Sequence, residues 1–201
     1  MFNCFFDTPW KIRNKLGSLA LYPYLRLLFF VMDIPWGKGW HFFGAPVIQK
    51  HRQSVMRFGQ GFSLRSTRQS NPLGANHPVI LCTWQAGASL EIGNNFGMTG
   101  GALVVAERIT IGNNVVVGAN STIIDTDFHP LDPILRQVSP QAAQTSPITI
   151  EDDVFIGMNC SILKGVTIGK SSVIGACSVV TRNVPGGLIV AGNPAKVVRA
   201  I

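Results

Sequence analysis

His129 is the side chain in this sequence best placed to move a proton. It stands in the run IIDTDFHPLDP, with Asp125, Asp127 and Asp132 around it, and it is the only histidine beyond residue 77. A neutral imidazole, with a pKa of about 6.5, can accept the proton of a hydroxyl while the oxygen attacks an electrophile. Complete prior ionisation of an alcohol would be far too costly at neutral pH, so attack and proton transfer must be coupled. A histidine on a loop is more often simply solvated, and its setting decides between the two readings. A zinc centre is not expected, because such a site needs several ligands converging on the ion and this half of the chain offers one histidine. Cys4, Cys82, Cys160 and Cys177 form no CxxC pair. They read as reduced thiols, two of them set inside repeats where a small apolar side chain is wanted.

The elements that must position His129 are written as a six-residue pattern. Ile150, Ile156, Ile162, Ile168, Ile174 and Val180 are spaced at sixes, and four residues after each comes Val154, Cys160, Val166, Ser172, Ser178 or Val184. Gly157, Gly169 and Gly175 directly follow three of the lead residues. A period of six is neither helical nor a plain alternating strand. It predicts a coil of short strands and tight corners, three hexads to a turn, each lead residue stacked on the one a turn earlier at about 4.8 Å. Glycine after the lead residue is expected to relieve the dihedral demand of the corner. Upstream, Ile80, Ala86, Ile92 and Met98 keep the sixes, and a one-residue slip near Val104 leads to Val105, Ile111, Val117 and Ile123. The interval from Ile123 to Ile150 is 27 residues, not a multiple of six, and it lacks the pattern. Residues 126–147 must therefore leave the coil as an excursion loop, and a long loop on a rigid scaffold is a common home for catalytic groups.

The net charge of +7 is unevenly placed: residues 1–68 hold ten Lys and Arg against two acids, and the remainder seven against eight. No nucleic-acid motif accompanies the basic third, so no nucleic-acid partner is expected. Pro23 predicts the start of a second helix after a first, since proline suits a first turn better than an interior. From Leu25 to Met32 only Arg26 is polar. That run is too short for a span, which leaves packing on the coil, packing between subunits, or contact of residues 1–40 with a membrane surface. No cleavable signal peptide is apparent, and the thiols fit cytoplasm, on the inner face of the membrane if residues 1–40 bind lipid.

With these hexads, this loop and a C-terminal SVVTRNVPGGLIVAGNPAKVVRA, the chain resembles the left-handed parallel β-helix (hexapeptide-repeat) acyltransferases, in particular the maltose, galactoside and polysaccharide O-acetyltransferases. The resemblance implies the hand of the coil, which spacing does not reveal. It implies an all-β fold in three parts: a basic, apolar helical cap at 1–57, the β-helix at 58–190, and a cofactor-binding tail at 191–201. It further implies a homotrimer with sites between neighbours, and acetyl transfer from acetyl-CoA, without metal, to a hydroxyl of a saccharide, a lipid-linked, capsular or O-antigen glycan among them. His129 would be the base and Asp127 its catalytic partner; the acid found in related enzymes about eleven residues later is here replaced by Pro140. Acceptor contacts fall on Thr99 and Asp125. Phe155, Met158, Ala176, Thr181, Arg182, Lys196 and Arg199 fall where the family binds its cofactor, the cations suiting phosphates. Two other readings share the fold: an acetyltransferase of amino sugars or antibiotics, and a catalytically silent β-helix scaffold.

Overall fold

The computed structural model describes residues 7–201; Cys4 lies outside them. The chain opens with helix α1 (Pro9–Val31). The strands follow in order: β1 (His41–Phe43), β2 (Val47–Lys50), β3 (Val55–Phe58), β4 (Ser63–Arg65), β5 (Ile80–Thr83), β6 (Ser89–Ile92), β7 (Gly97–Thr99), β8 (Ala102–Val105), β9 (Arg108–Ile111), β10 (Val116–Val117) and β11 (Thr122–Ile124). After a short helix α2 (Pro133–Val138) come β12 (Ile148–Ile150), β13 (Phe155–Ile156), β14 (Ser161–Ile162), β15 (Thr167–Ile168), β16 (Val173–Ile174), β17 (Val179–Val180), β18 (Leu188–Ala191) and β19 (Lys196–Ala200). From β4 to β17 each strand pairs with the third one before it, whereas β18 pairs with β16 and β19 with β18. The result is three sheets, ordered β1-β4-β7-β10-β13-β16-β18-β19, β2-β5-β8-β11-β14-β17 and β3-β6-β9-β12-β15. Every pairing is parallel except β18 with β19. This is a β-helix with three walls.

Register carries the sixfold pattern into the core. Met98, Val117, Ile156 and Ile174 stack in the first sheet, Leu103, Ile123, Ile162 and Val180 in the second, and Ile92, Ile111, Ile150 and Ile168 in the third. All are buried. The residues four places on, from Val154 to Val184, are buried as well, Ser172 and Ser178 included. The early coils depart from the expected phase. Ile80 is only partly covered and Ala86 is exposed, while Leu81 and Ala88 point inward. The corner between β5 and β6 is longer than a hexad allows, so counting by six from Ile92 lands on the wrong residues. The slip near Val104 is real, and both Leu103 and Val105 are buried.

The corners also correct the reading of glycine. The left-handed residue is the third after the lead residue: Asn95, Asn114, Asp153 and Ser171 have φ of 57°, 56°, 60° and 59°, and Asn120, Asn159 and Cys177 have 63°, 54° and 60°. Asn and Asp tolerate that region because their short polar side chains bond locally. Here they form ladders, Asn95 to Asn114 at 2.9 Å and Asn114 to Asp153 at 2.8 Å. Cys177 is therefore an exposed corner residue, not a filler, whereas Cys160 is buried as expected. The glycine directly after the lead residue is needed for close approach. A Cβ at Gly157 would lie 2.6 Å from the Ala176 nitrogen, and one at Gly93 2.7 Å from the Gly112 carbonyl carbon.

At the N-terminal end the open coil is closed by aromatics and α1. Trp40, Phe42 and Phe62 are buried, Phe62 stacks on Phe58 at 4.6 Å, and the Trp40 indole donates to the Gly59 carbonyl at 2.7 Å. Leu25 and Phe29 of α1 are fully buried on this plug. The helix runs unbroken through Pro23, contrary to the expected restart. Two buried side chains of this size are worth about 3–6 kcal/mol together, against about 3 kcal/mol for an interior proline. Docking therefore holds a helix that local preference would divide.

Substituting Gly157 with Ala is expected to cost about 1–3 kcal/mol, the cost of forcing atoms into a filled space. Gly17, with nothing within 4 Å of its missing Cβ, should instead gain about 0.5–1 kcal/mol on conversion to Ala in its helix. Thermal melting of the two variants should move in opposite directions.

Candidate active site

The loop carrying His129 leaves the coil between β11 and β12 through a pinned neck. Thr126 bridges Thr145, the Ser146 amide donates to the Asp125 carbonyl at 3.0 Å, and Thr145 Oγ1 donates to Glu107 at 2.8 Å. Just beyond the neck the His129 amide donates to the Asp127 carbonyl at 2.7 Å, closing a three-residue turn around Phe128, whose φ is +60°. A non-glycine residue there is uncommon, and such conformations cluster at functional sites. The Phe128 ring meets Trp84 edge-on, with centroids 6.3 Å apart. The His129 side chain is left exposed. Asp132 does not face it: its carboxylate caps α2, accepting from the Ile134 and Leu135 amides at 2.8 and 2.9 Å.

Asp127 stands beside that turn, and its partner is a residue the sequence reading passed over. Lys164, from the corner after β14, reaches Asp127 Oδ1 at 2.7 Å. Asp127 Oδ2 is buried and has no hydrogen-bond partner among the described residues. A charge pair this enclosed, with both side chains about a quarter exposed or less, fixes the turn bearing His129. Lys164 could have been found by noting that it is a long cation at a corner of an otherwise small, apolar hexad.

Asp125, assigned to the acceptor, does something else. Its side chain is wholly buried, and its two oxygens accept from the amides of Ala106, Glu107 and Arg108 at 2.6, 2.9 and 2.8 Å. Burial pushes its carboxyl above the usual range, a shift the three N–H donors partly offset. The group ties the β8–β9 corner to the coil above it and presents nothing to an acceptor.

Four of the other assigned residues meet in one groove of about 600 Å³ along the outer face of the first sheet. Thr99, Phe155, Met158 and Ala176 line it. Thr99 Oγ1 accepts from the Asn71 side chain at 3.0 Å, and the Phe155 ring is half exposed. Along the corner edge run Gly118-Ala119, Gly157-Met158 and Gly175-Ala176. Among the described residues the amides of Met158 and Ala176 donate to no protein acceptor, so they can serve a ligand carrying carbonyl groups. Thr181 and Arg182 follow β17, exposed, while Lys196 and Arg199 lie exposed on β19. His129 is not in the groove of its own chain. Among the described residues no group of His, Cys, Asp and Glu could hold a metal ion.

Known proteins match both the repeats and the whole coil. Residues 147–182 match the family described as bacterial transferase hexapeptide (six repeats), and residues 108–124 the hexapeptide repeat of succinyl-transferase. These two stretches of the chain therefore carry hexapeptide repeats. The galactoside O-acetyltransferase of Escherichia coli is 40% identical over 116 residues, 57% of this chain and 56% of that protein. A tetrahydropyridine-dicarboxylate N-acetyltransferase of Staphylococcus aureus is 42% identical over 90 residues, 45% of this chain and 32% of that one. The chain thus spans less than two thirds of the length of these curated relatives. Among solved structures, a hexapeptide-repeat acetyltransferase of Vibrio cholerae complexed with acetyl coenzyme A superposes with a TM-score of 0.56 at 27% identity, over 96% of this chain and 85% of that one. The coil is accordingly a left-handed parallel β-helix of the hexapeptide-repeat kind, and the hexads legible from Ile150 to Val180 form its C-terminal coils.

Replacing Asp125 with Asn in this hexapeptide-repeat chain keeps shape but turns an amide NH₂ toward at least one backbone donor. A loss of about 1–3 kcal/mol is expected from the unsatisfied groups, read as a lower midpoint in denaturant.

Proposed function

We propose that this chain is an acetyl-CoA-dependent O-acetyltransferase acting on a saccharide hydroxyl, with His129 as general base. The observation carrying the reading is the groove of the first sheet, in which the unpaired amides of Met158 and Ala176 line up beside the exposed Phe155. A pantetheine arm is narrow and bears two amides, and a row of glycine corners lets such a chain lie against backbone. The match to a structure complexed with acetyl coenzyme A supports the same ligand. Arg182, Lys196 and Arg199 would meet the phosphates. Phosphate suits guanidinium and ammonium groups for direct electrostatic reasons.

In the reaction the acceptor oxygen attacks the thioester carbonyl carbon while the His129 imidazole takes its proton. The C–O bond forms, the C–S bond breaks from the tetrahedral intermediate, and the leaving thiolate recovers the proton from the imidazolium. Lys164 neutralises Asp127 and steadies the turn, so that the imidazole is presented in one place.

Because His129 does not line the groove of its own chain, the reading needs a second copy to complete the site. Two unlike apolar surfaces support this. The groove face exposes Val116 and Phe155, and the excursion exposes Leu131, Ile134, Leu135 and Val138, with no residue of α2 buried. A contact between two different surfaces closes into a ring when the rotation permits, and three copies would place each His129 beside a neighbour's groove. N-acetylation of an amino sugar is a second reading, favoured by the likeness to an N-acetyltransferase. Exposed Leu16, Leu27, Phe30 and Val31 on α1 beside the basic N-terminal third favour an acceptor at a membrane surface. No described helix is long and apolar enough to cross a membrane.

His129→Ala should lower turnover about 10²- to 10⁴-fold with acetyl-CoA affinity nearly unchanged; near-normal turnover overturns the mechanism. Joint neutralisation of Arg182, Lys196 and Arg199 should raise the KM for acetyl-CoA and leave kcat closer to normal, which steady-state kinetics will read. Sedimentation at micromolar concentration should give a trimer, and a stable monomer removes the shared site.

A further inference from the structure

A second cavity, larger than the groove at about 940 Å³, lies between α1 and the first coils. Its wall is chemically lopsided. Lys11 and Lys15 stand on the helix side and Arg65 on the coil side, with His41 beside it, and among the described residues no Asp or Glu lines it. Between these cations the surface is aromatic and apolar, with Trp10 and Trp40 in the wall. Arg65 is held in place from two directions: its guanidinium lies 4.4 Å over the Phe43 ring, and one nitrogen donates to the Ser70 carbonyl at 2.6 Å. Among the described residues it has no carboxylate partner, which leaves its charge uncompensated in the cavity wall. Arg65 and Asn71 also line the groove of the first sheet. The two concavities therefore share a wall, and Asn71 carries the hydrogen bond to Thr99 across it.

We propose that this cavity binds the head of an anionic amphiphile, a phosphate or diphosphate ester of a long apolar chain, and so holds an acceptor by its lipid handle beside the groove. Asn14, Ser18, Tyr22 and Asn71 add neutral polar groups to the wall, but its charged side chains are all basic, which favours an anion over a neutral sugar. A compact anion alone would not explain the aromatic surface, and a plain hydrocarbon would not explain Lys11, Lys15 and the fixed Arg65 around it. A phosphate joined to an apolar chain satisfies both, with the chain leaving past the exposed Leu16 and Leu19 of the same helix. The role as an acceptor handle rests on the acetyltransferase reading above; the binding site itself does not.

The test is binding, measured by calorimetry and by the fluorescence of the lining tryptophans, on the full chain. Farnesyl diphosphate should bind at least tenfold tighter than inorganic pyrophosphate or farnesol. The pair Lys11→Gln and Lys15→Gln should weaken it at least tenfold, and Ser18→Trp, which fills the cavity from α1, should abolish it, both without changing acetyl-CoA binding. Should Ser18→Trp fail to fold by thermal melting, the lysine pair decides. Phosphatidylglycerol vesicles form a separate arm. Farnesyl diphosphate binding without vesicle binding assigns the handle to a single carrier molecule, and vesicle binding lost in the same variants assigns the shared chemistry to bilayer headgroups. Equal affinity for farnesyl diphosphate and pyrophosphate, displacement of the probe by coenzyme A at this site, or insensitivity to the lysine pair overturns the proposal. If the probe binds as expected but no acceptor is acetylated, the cavity stands and the acetyltransferase reading falls.

Discussion

The distance between neighbouring coils at their corners governs this molecule. Each coil lies so near the next that a single methyl group on Gly157 would meet the Ala176 backbone. That closeness permits in-register stacking of Ile156 on Ile174 and Ile162 on Val180, and it leaves the corner amides of Met158 and Ala176 turned outward. One steric requirement thus produces both the core and the bare backbone edge to which a thin ligand can bind. Polar ladders through Asn114 and Asp153 then satisfy the left-handed corner residues that such tight turning creates.

The site is assembled from the places where the coil is interrupted. His129 is carried out of the wall by an excursion whose neck is tied back by Ser146, Thr145 and the Asp127–Lys164 pair. The loop is rigid at its base and apolar at its tip, a combination suited to holding an imidazole still while the tip seeks cover. Asp125 shows the complementary case, a carboxylate spent on three backbone amides so that the wall can be left at that point without unpaired groups in the core.

Where the repeat is strict the sequence could be read almost as coordinates, because every residue from Ile150 to Val184 answers to one stacking rule. It was less legible at Ile80 and Ala86, where a longer corner shifts the phase and the inward residues become Leu81 and Ala88. Pro23 misled for a related reason: its local preference was right, and the burial of Leu25 and Phe29 outweighed it. Within the site, the arithmetic of 27 residues located the loop and its histidine. It did not reveal that Asp125 is taken up by the Ala106, Glu107 and Arg108 amides while Asp127, two residues on, pairs with Lys164. Lys164 was hidden because pairing across coils joins positions 37 apart, a separation no local motif expresses. The corner glycines were assigned correctly as necessary but for the wrong cause, since positive φ and missing Cβ leave the same mark on a sequence.

The antiparallel return of β19 along β18 ends the first sheet, while α1 closes the coil at its other end. Between these stops the β-helix acts as a ruler graduated in coils, each adding about 4.8 Å. The basic strand at one end and the cationic cavity at the other are held apart by a count of turns, and no flexible linker sets that span. Inserting residues into the excursion would leave this length untouched, whereas adding or removing eighteen or so in the wall would change it by one graduation. Lineages of such proteins can therefore vary the loop freely and vary reach only in whole steps.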